Sequence, residues 1–167
     1  MKILVDTSYF LPFIKIKIEK FPQDTLINLL YESSNKFFYS ELSIFELTAK
    51  GMKISSQKGK ITPQDIRIGI DALTNDTRLT KLSFIDNPLI IVLANHLRTF
   101  HKDTIDCLIF ATAICMCDCI VTMDVVLYEL IRNNPPLVNH IQEVNEGFKF
   151  WFDDLSSDYK EITSNYK

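Results

Sequence analysis

The stretch Met1-Lys2-Ile3-Leu4-Val5-Asp6-Thr7-Ser8-Tyr9-Phe10 decides the fold of this chain. Its apolar run, Ile3 to Val5, predicts a buried strand, because strands covered on both faces are continuous apolar runs. Asp6 stands where this strand ends. Thr7 and Ser8 then begin a helix, since short hydroxyl side chains can satisfy free N–H groups there. Ligands of open α/β sheets bind beyond the carboxyl ends of strands, so Asp6 is a candidate site residue.

The size and composition of the chain indicate one globular domain. Its 167 residues are 47% hydrophobic and 23% charged, which excludes a disordered chain and allows a sizeable core. The net charge is −3, so a nucleic-acid partner requires a local basic patch. The most apolar stretch, residues 105–121, contains two aspartates and is too short for a membrane span. Without a recognisable signal peptide either, we expect a soluble cytoplasmic protein that has no membrane partner.

The chain has four cysteines, Cys107, Cys115, Cys117 and Cys119. The last three alternate so closely that they cannot all form disulfides with one another. They also lack the paired C-x-x-C spacing of zinc sites. We therefore expect buried, reduced thiols that pack as small apolar side chains.

Short apolar runs alternate with helical segments along the rest of the chain. Further strands are predicted at about residues 37–39, 82–85, 119–122 and 148–152. Helices are predicted at about residues 8–14, 23–33, 41–54, 62–74, 88–99, 104–117 and 125–133. Residues 55–61 have the composition of an exposed loop, and Asn-Asn-Pro-Pro after residue 132 predicts the end of a helix. The alternation predicts an α/β fold whose mainly parallel sheet is covered on both faces.

Three further acids are expected at the same edge of the sheet as Asp6. Asp124 follows the buried strand over 119–122, Asp106 opens the most apolar helix, and Glu46 lies on the helix after the second strand. At one edge of one sheet these four carboxylates would repel each other, so a cation is expected to hold them. Oxygen-only ligands favour a hard divalent cation, Mg²⁺ or Mn²⁺. Such a site without a side-chain nucleophile is typical of phosphodiester hydrolysis by a metal-activated water.

Three of these four acids also have a simpler interpretation. Asp6 and Asp106 stand at helix starts, where carboxylates are favoured in any case. Glu46 can form an exposed ion pair with Lys50, four residues further along its helix. Asp103 is either the cap of the apolar helix or a fifth, outer acid, and the cap is the favoured interpretation.

Other hydrolytic chemistries lack their residues in this chain. An aspartyl-phosphate phosphatase requires a second Asp where Ser8 stands. A Gly-rich phosphate loop, a serine nucleophile elbow and a dinucleotide fingerprint are all missing from the sequence. Of three scattered histidines, His101 alone lies near a proposed site acid.

The segments that carry these acids resemble PIN-domain nucleases of the kind found as toxins in VapBC toxin–antitoxin pairs. These segments are Ile3-Leu4-Val5-Asp6-Thr7-Ser8, Ser40-Glu41-Leu42-Ser43-Ile44-Phe45-Glu46-Leu47, Asp106-Cys107-Leu108-Ile109-Phe110-Ala111-Thr112-Ala113 and Ile120-Val121-Thr122-Met123-Asp124. The resemblance implies a three-layer α/β/α sandwich on a parallel sheet. It also implies a nuclease domain over residues 1–152, followed by a polar tail over residues 153–167.

The resemblance further implies metal-dependent cleavage of RNA. The positions that match the family's catalytic, metal-holding acids are Asp6, Glu46, Asp106 and Asp124. The positions that match its substrate-binding hydroxyls are Thr7, Ser8 and Thr122. A small antitoxin protein and a second copy of the chain are the expected protein partners. Two competing interpretations remain, a PIN-like binding module without catalysis and a structure-specific DNA nuclease.

Overall fold

The structure is a computed structural model that describes residues 1–18, 25–31, 34–58, 61–153 and 160–161. Its strands are β1 (Lys2–Val5), β2 (Lys36–Ser40), β3 (Leu79–Leu82), β4 (Cys119–Thr122), β5 (Lys149–Phe152) and β6 (Lys160–Glu161). They form one sheet in the order β3-β2-β1-β4-β5-β6. Strands β1 to β5 pair in parallel, and β6 pairs antiparallel with β5.

A 3-10 helix over Thr7–Ile14 follows β1 directly. The α-helices are α1 (Thr25–Leu30), α2 (Glu41–Lys58), α3 (Pro63–Thr74), α4 (Leu89–Leu97), α5 (Thr104–Met116), α6 (Val125–Asn133) and α7 (Pro135–Val144).

Two hydrophobic clusters cover the two faces of the sheet. Ile3 and Val5 point to one face, where they pack with the 3-10 helix, α1, α2 and α3. Leu4 points to the other face, where it packs with α4, α5, α6 and α7. Successive side chains of a strand alternate between faces, which explains why the continuous apolar run of β1 is buried on both sides. The predicted three-layer α/β/α sandwich with a mainly parallel central sheet is therefore confirmed.

The third strand was predicted at residues 82–85, and this prediction is wrong. The strand spans Leu79–Leu82, and a turn follows in which the N–H of Asp86 donates to the carbonyl of Ser83 at 3.2 Å. Strand β3 lies at the edge of the sheet and fully buries only Leu79. An edge strand that buries so little has no apolar run by which sequence could locate it.

The exposed loop predicted over residues 55–61 is wrong at residues 55–58 and at Ile61, while residues 59–60 lie outside the described residues. Helix α2 continues to Lys58, and Ile61 is buried in the core. In the last turn of α2, Ser56 and Gln57 are polar and exposed. Their composition is the same as that of a loop, so it does not distinguish the two structures.

The predicted helix over 125–133 is confirmed as α6, but α7 was missed because Pro135 and Pro136 were interpreted only as the end of α6. Both prolines instead lie in the first turn of α7, where the fixed φ of proline suits a helix and no N–H is needed. Three residues of this helix, Leu137, Val138 and Ile141, then enter the core.

The predicted start of α3 is confirmed in detail. The Thr62 hydroxyl accepts from the N–H of Asp65 at 3.2 Å, and the Asp65 carboxylate accepts from the N–H of Thr62 at 2.9 Å. Further along this helix, a Cβ added at Gly69 would lie 2.4 Å from the backbone oxygen of Phe13. Glycine therefore lets α3 pack directly against the 3-10 helix.

The cysteines are free thiols, and three of them are buried as predicted, with Cys115 partly exposed. Burial raises the pKa of Cys107 to about 11 and that of Cys117 to about 12, which keeps both thiols protonated and unreactive.

The predicted polar tail falls largely outside the described residues, at 154–159 and 162–167. Within the described part, Asp153 is buried and accepts a hydrogen bond from the Tyr9 hydroxyl at 2.8 Å. Lys160 and Glu161 add the antiparallel edge strand β6. Among the residues that the structure describes, no helix is long and apolar enough to cross a membrane.

Candidate active site

The neighbouring strands β1 and β4 bring Asp6 and Asp124 to the same edge of the sheet. These strands pair in parallel with Val5 opposite Val121, so their carboxyl ends lie side by side at the same edge of the sheet. The N–H of Asp6 donates to the carbonyl of Val121 at 3.0 Å, so the hydrogen bonding between β1 and β4 continues one residue beyond β1, to Asp6.

The N-terminal end of α5 and one face of α2 complete the site. Together they enclose an acidic pocket of ≈ 230 Å³, lined by Asp6, Thr7, Ser8, Glu46, Lys50, Asp103, Asp106 and Asp124. The four acids predicted from the sequence thus line one pocket. Among the described residues that line the pocket, Asp103 is a fifth carboxylate and Lys50 is the one basic residue.

Asp6 is oriented by two hydroxyl groups. Its Oδ2 atom accepts hydrogen bonds from Ser8 Oγ at 2.7 Å and from Thr122 Oγ1 at 2.9 Å. Burial raises the pKa of Asp6 from 3.8 to about 6, and repulsion from Glu46 and Asp124 adds to this effect against the two hydroxyl hydrogen bonds. Burial and the neighbouring acids therefore destabilise the ionised form of Asp6.

Asp103 and Asp124 each cap a helix with one oxygen. Asp103 Oδ1 accepts from the N–H of Ile105 at 2.8 Å, and Asp124 Oδ1 accepts from the N–H of Val126 at 2.7 Å. The interpretation of Asp103 as a helix cap is confirmed, and the same residue also lines the pocket. Cap and site acid are thus compatible roles, because a carboxylate has two oxygens.

Asp106 and Glu46 each pair with one basic side chain. His101 Nε2 lies 2.9 Å from Asp106 Oδ2, and Lys50 Nζ lies 2.5 Å from Glu46 Oε1. The pKa of Asp106 is nevertheless raised, mainly by burial and against the His101 hydrogen bond. The Glu46–Lys50 pair that the helix spacing suggested is present, but it lies in the acidic pocket.

The five carboxylates share one feature. One oxygen of each is engaged as described above, while the other makes no hydrogen bond to any residue that the structure describes. The unengaged atoms are Asp6 Oδ1, Glu46 Oε2, Asp103 Oδ2, Asp106 Oδ1 and Asp124 Oδ2. None of the five residues is fully buried, since Asp103 is exposed and the other four are partly exposed. The pocket therefore presents several available carboxylate oxygens at once.

The hydroxyls predicted to contact substrate hold the site together in this structure. Thr122 Oγ1 accepts from the N–H of Asp124 at 2.9 Å while it donates to Asp6, so it links the two acids. Thr7 Oγ1 donates to Ser43 Oγ at 3.0 Å in the protein interior. Their contact with substrate stays a prediction. Sequence reasoning assigned no role to Ser43, which has no distinguishing pattern of its own.

The donor set fits a hydrated hard cation. Across the described part of the chain, no three His, Cys, Asp or Glu side chains have the spacing of a ready-made metal site. Mg²⁺, however, usually keeps several water ligands and binds only one or two carboxylates directly. Several carboxylate oxygens around one pocket meet that requirement, whereas no cysteine sulfur, a soft ligand, is among the described residues that line it.

Comparison with known proteins shows a likeness in fold. The sequence matches no protein-family model and no curated protein. The structure is similar to a chain in the crystal structure of VapBC2 from Rickettsia felis bound to a DNA fragment from their promoter, with a TM-score of 0.55. The two chains are 22% identical, and the match covers 82% of this chain and 96% of that chain. The α/β sandwich is therefore PIN-like, as the sequence resemblance implied.

Proposed function

We propose that this protein is an Mg²⁺- or Mn²⁺-dependent endoribonuclease, and that it is the toxin of a VapBC-type toxin–antitoxin pair. The acidic pocket carries the proposal, because five carboxylates with available oxygens meet at the carboxyl edge of a PIN-like sheet. The proposed nuclease domain spans residues 1–152.

The proposed metal-holding residues are Asp6, Glu46, Asp106 and Asp124. A divalent cation bound there would lower the pKa of a water molecule and offset negative charge on the RNA phosphate. The chain's own contribution is to orient the acids. Ser8 and Thr122 hold the Oδ2 atom of Asp6 by hydrogen bonds, and His101 holds the Oδ2 atom of Asp106. Burial raises the pKa of Asp6, and carboxylates with a raised pKa are common at functional sites.

A direct test uses single-stranded RNA with Mg²⁺ or Mn²⁺, in parallel with a chelator. The wild-type protein should cleave the RNA, and excess chelator should stop cleavage. Asp6→Asn and Asp124→Asn should abolish the activity, while Asp86→Asn should retain it because Asp86 is exposed and does not line the pocket. Metal-dependent cleavage that survives both pocket substitutions would contradict the assignment.

An antitoxin partner is proposed on the apolar surface beside the pocket. Phe45, next to Glu46, is 61% exposed, and Val126, next but one to Asp124, is 60% exposed. An apolar segment of a small protein can pack on these side chains and present a basic residue to the acids. Copurification with the product of a neighbouring gene, lost in Phe45→Asp, would support this partner.

The proposed homodimer requires a different surface. The leucines of α1 are buried in the core and offer no such surface; they are Leu26, Leu29 and Leu30. Helix α4 instead exposes Leu89, Ile91 and Val92. Sedimentation of the wild-type protein and of Val92→Asp tests whether this face joins two copies.

A binding module without catalysis is the second candidate function. The likeness to a solved structure at 22% identity supports the fold alone, which a module without catalysis would share. Calorimetric titration with Mn²⁺ separates the two candidates, because the module should show no binding that depends on Asp6.

A further inference from the structure

Lys50 places a positive charge inside the acidic pocket. Its ammonium lies 2.5 Å from Glu46 Oε1, although an i,i+4 pair on a helix usually lies on the solvated surface. The Glu46 side chain is only 15% exposed and that of Lys50 is 48% exposed. Lys50 thus reaches from the rim of the pocket over a largely buried acid.

The Lys50 ammonium acts on more than its direct partner. The carboxylates of Asp6 and Asp106, on two other elements of the fold, also attract it. The pocket lining contains five carboxylates and this single basic side chain. Lys50 therefore places a positive charge among carboxylates that repel one another.

We propose that Lys50 alternates between two roles at this site. Without a divalent cation, its ammonium binds Glu46 and offsets the repulsion among the acids. When the acids hold a divalent cation, the ammonium leaves Glu46 and binds a phosphate oxygen of the RNA backbone. This inference rests on the proposed function and adds a substrate-binding residue to it.

The physical reason for the exchange is that two cations compete for the same carboxylates. A divalent ion on Glu46 repels the nearby ammonium, so each cation binds the carboxylate less strongly when the other is present. The lysine side chain has a flexible four-carbon stem and is half exposed, so it can move away with little structural change. A compact ammonium with three donors then suits a phosphodiester that enters the pocket.

This competition gives Lys50→Met two effects of opposite sign. Removal of the ammonium should tighten Mn²⁺ binding, by about threefold to tenfold, because the competing charge is gone. At saturating Mn²⁺, the same change should lower kcat/KM for RNA by about tenfold to a hundredfold, the value of a charge-assisted hydrogen bond. A variant with a merely damaged site should instead lose both metal affinity and activity.

The experiment compares the wild-type protein with Lys50→Met, Lys50→Arg and Lys53→Met. Calorimetry at low salt measures Mn²⁺ affinity, and cleavage of a short single-stranded RNA at saturating Mn²⁺ measures kcat/KM. Lys50→Arg should keep most of the cleavage, since the charge remains. Lys53→Met should match the wild type, because Lys53 is exposed on the same helix and does not line the pocket.

The result that overturns the proposal is Lys50→Met with unchanged or weaker Mn²⁺ affinity, or with wild-type kcat/KM. If the wild-type protein binds Mn²⁺ and cleaves RNA in that experiment, only the role of Lys50 is refuted. If the wild-type protein neither binds Mn²⁺ nor cleaves RNA, the proposed function is refuted, and the role of Lys50 with it.

Discussion

Replacement of Asp6 by asparagine should stabilise the metal-free protein at neutral pH, although it removes a proposed metal ligand. Burial raises the pKa of Asp6 from 3.8 to about 6, so the folded state binds this proton more tightly than the unfolded state. The free energy of unfolding therefore falls as the pH rises between these two values. Below pH 3.8, Asp6 is protonated in both the folded and the unfolded state. Above about pH 6 it is ionised in both, and the folded state then bears the full cost of burying the ionised carboxylate. A shift of about two pH units corresponds to about 3 kcal/mol.

Urea unfolding of the wild-type protein and of Asp6→Asn, with chelator, at about pH 4 and about pH 8, measures this penalty. The stability of Asp6→Asn relative to the wild type should increase by about 3 kcal/mol between the two pH values, because asparagine does not ionise. Asp86→Asn is the matched control and should show no such increase, since Asp86 is exposed. Added Mg²⁺ should stabilise the wild type at the higher pH and reduce the advantage of the variant. A relative stability that is equal at both pH values would refute the reasoning.

Three further substitutions test the support of the site and the packing. His101→Ala removes the partner of Asp106 and should weaken Mn²⁺ binding about tenfold by calorimetry. His101→Gln keeps a hydrogen-bond donor and should lose less Mn²⁺ affinity. Equal losses of affinity in the two variants would contradict this role. Thr122→Val removes a hydrogen bond that lowers the pKa of Asp6, so the acidic limb of the pH–cleavage profile should move to higher pH, and an unmoved limb would argue against it. Gly69→Ala places a Cβ 2.4 Å from the backbone oxygen of Phe13 and should lower the free energy of unfolding by about 1–3 kcal/mol in urea. Cleavage per folded molecule should be unchanged. Unaltered stability would show that α3 can move away from the 3-10 helix at no cost.

Elements with a strong local pattern could be predicted from the sequence. Strands β1 and β4 are continuous apolar runs, and the start of α3 has both halves of a capping box. Strand β3 and helix α7 were misplaced or missed for physical reasons. An edge strand buries too little to have an apolar run, and a Pro-Pro pair occurs both after one helix and in the first turn of the next.

The amino-acid sequence by itself determined which acids could meet. Asp6 and Asp124 follow buried strands and Asp106 opens an apolar helix, and in a parallel sheet these local positions share one edge. Local patterns are enough for this result, because the direction of each strand decides where its last residue lies.

Only the tertiary structure decided how the site is charged and oriented. The hydrogen bond from Thr122 to Asp6 joins residues 116 positions apart, and it leaves one oxygen of Asp6 available in the pocket. The position of Lys50 among five acids and the raised pKa of Asp6 likewise depend on elements that meet only in the folded chain. Charge and desolvation act through space, so neighbours along the sequence do not reveal them.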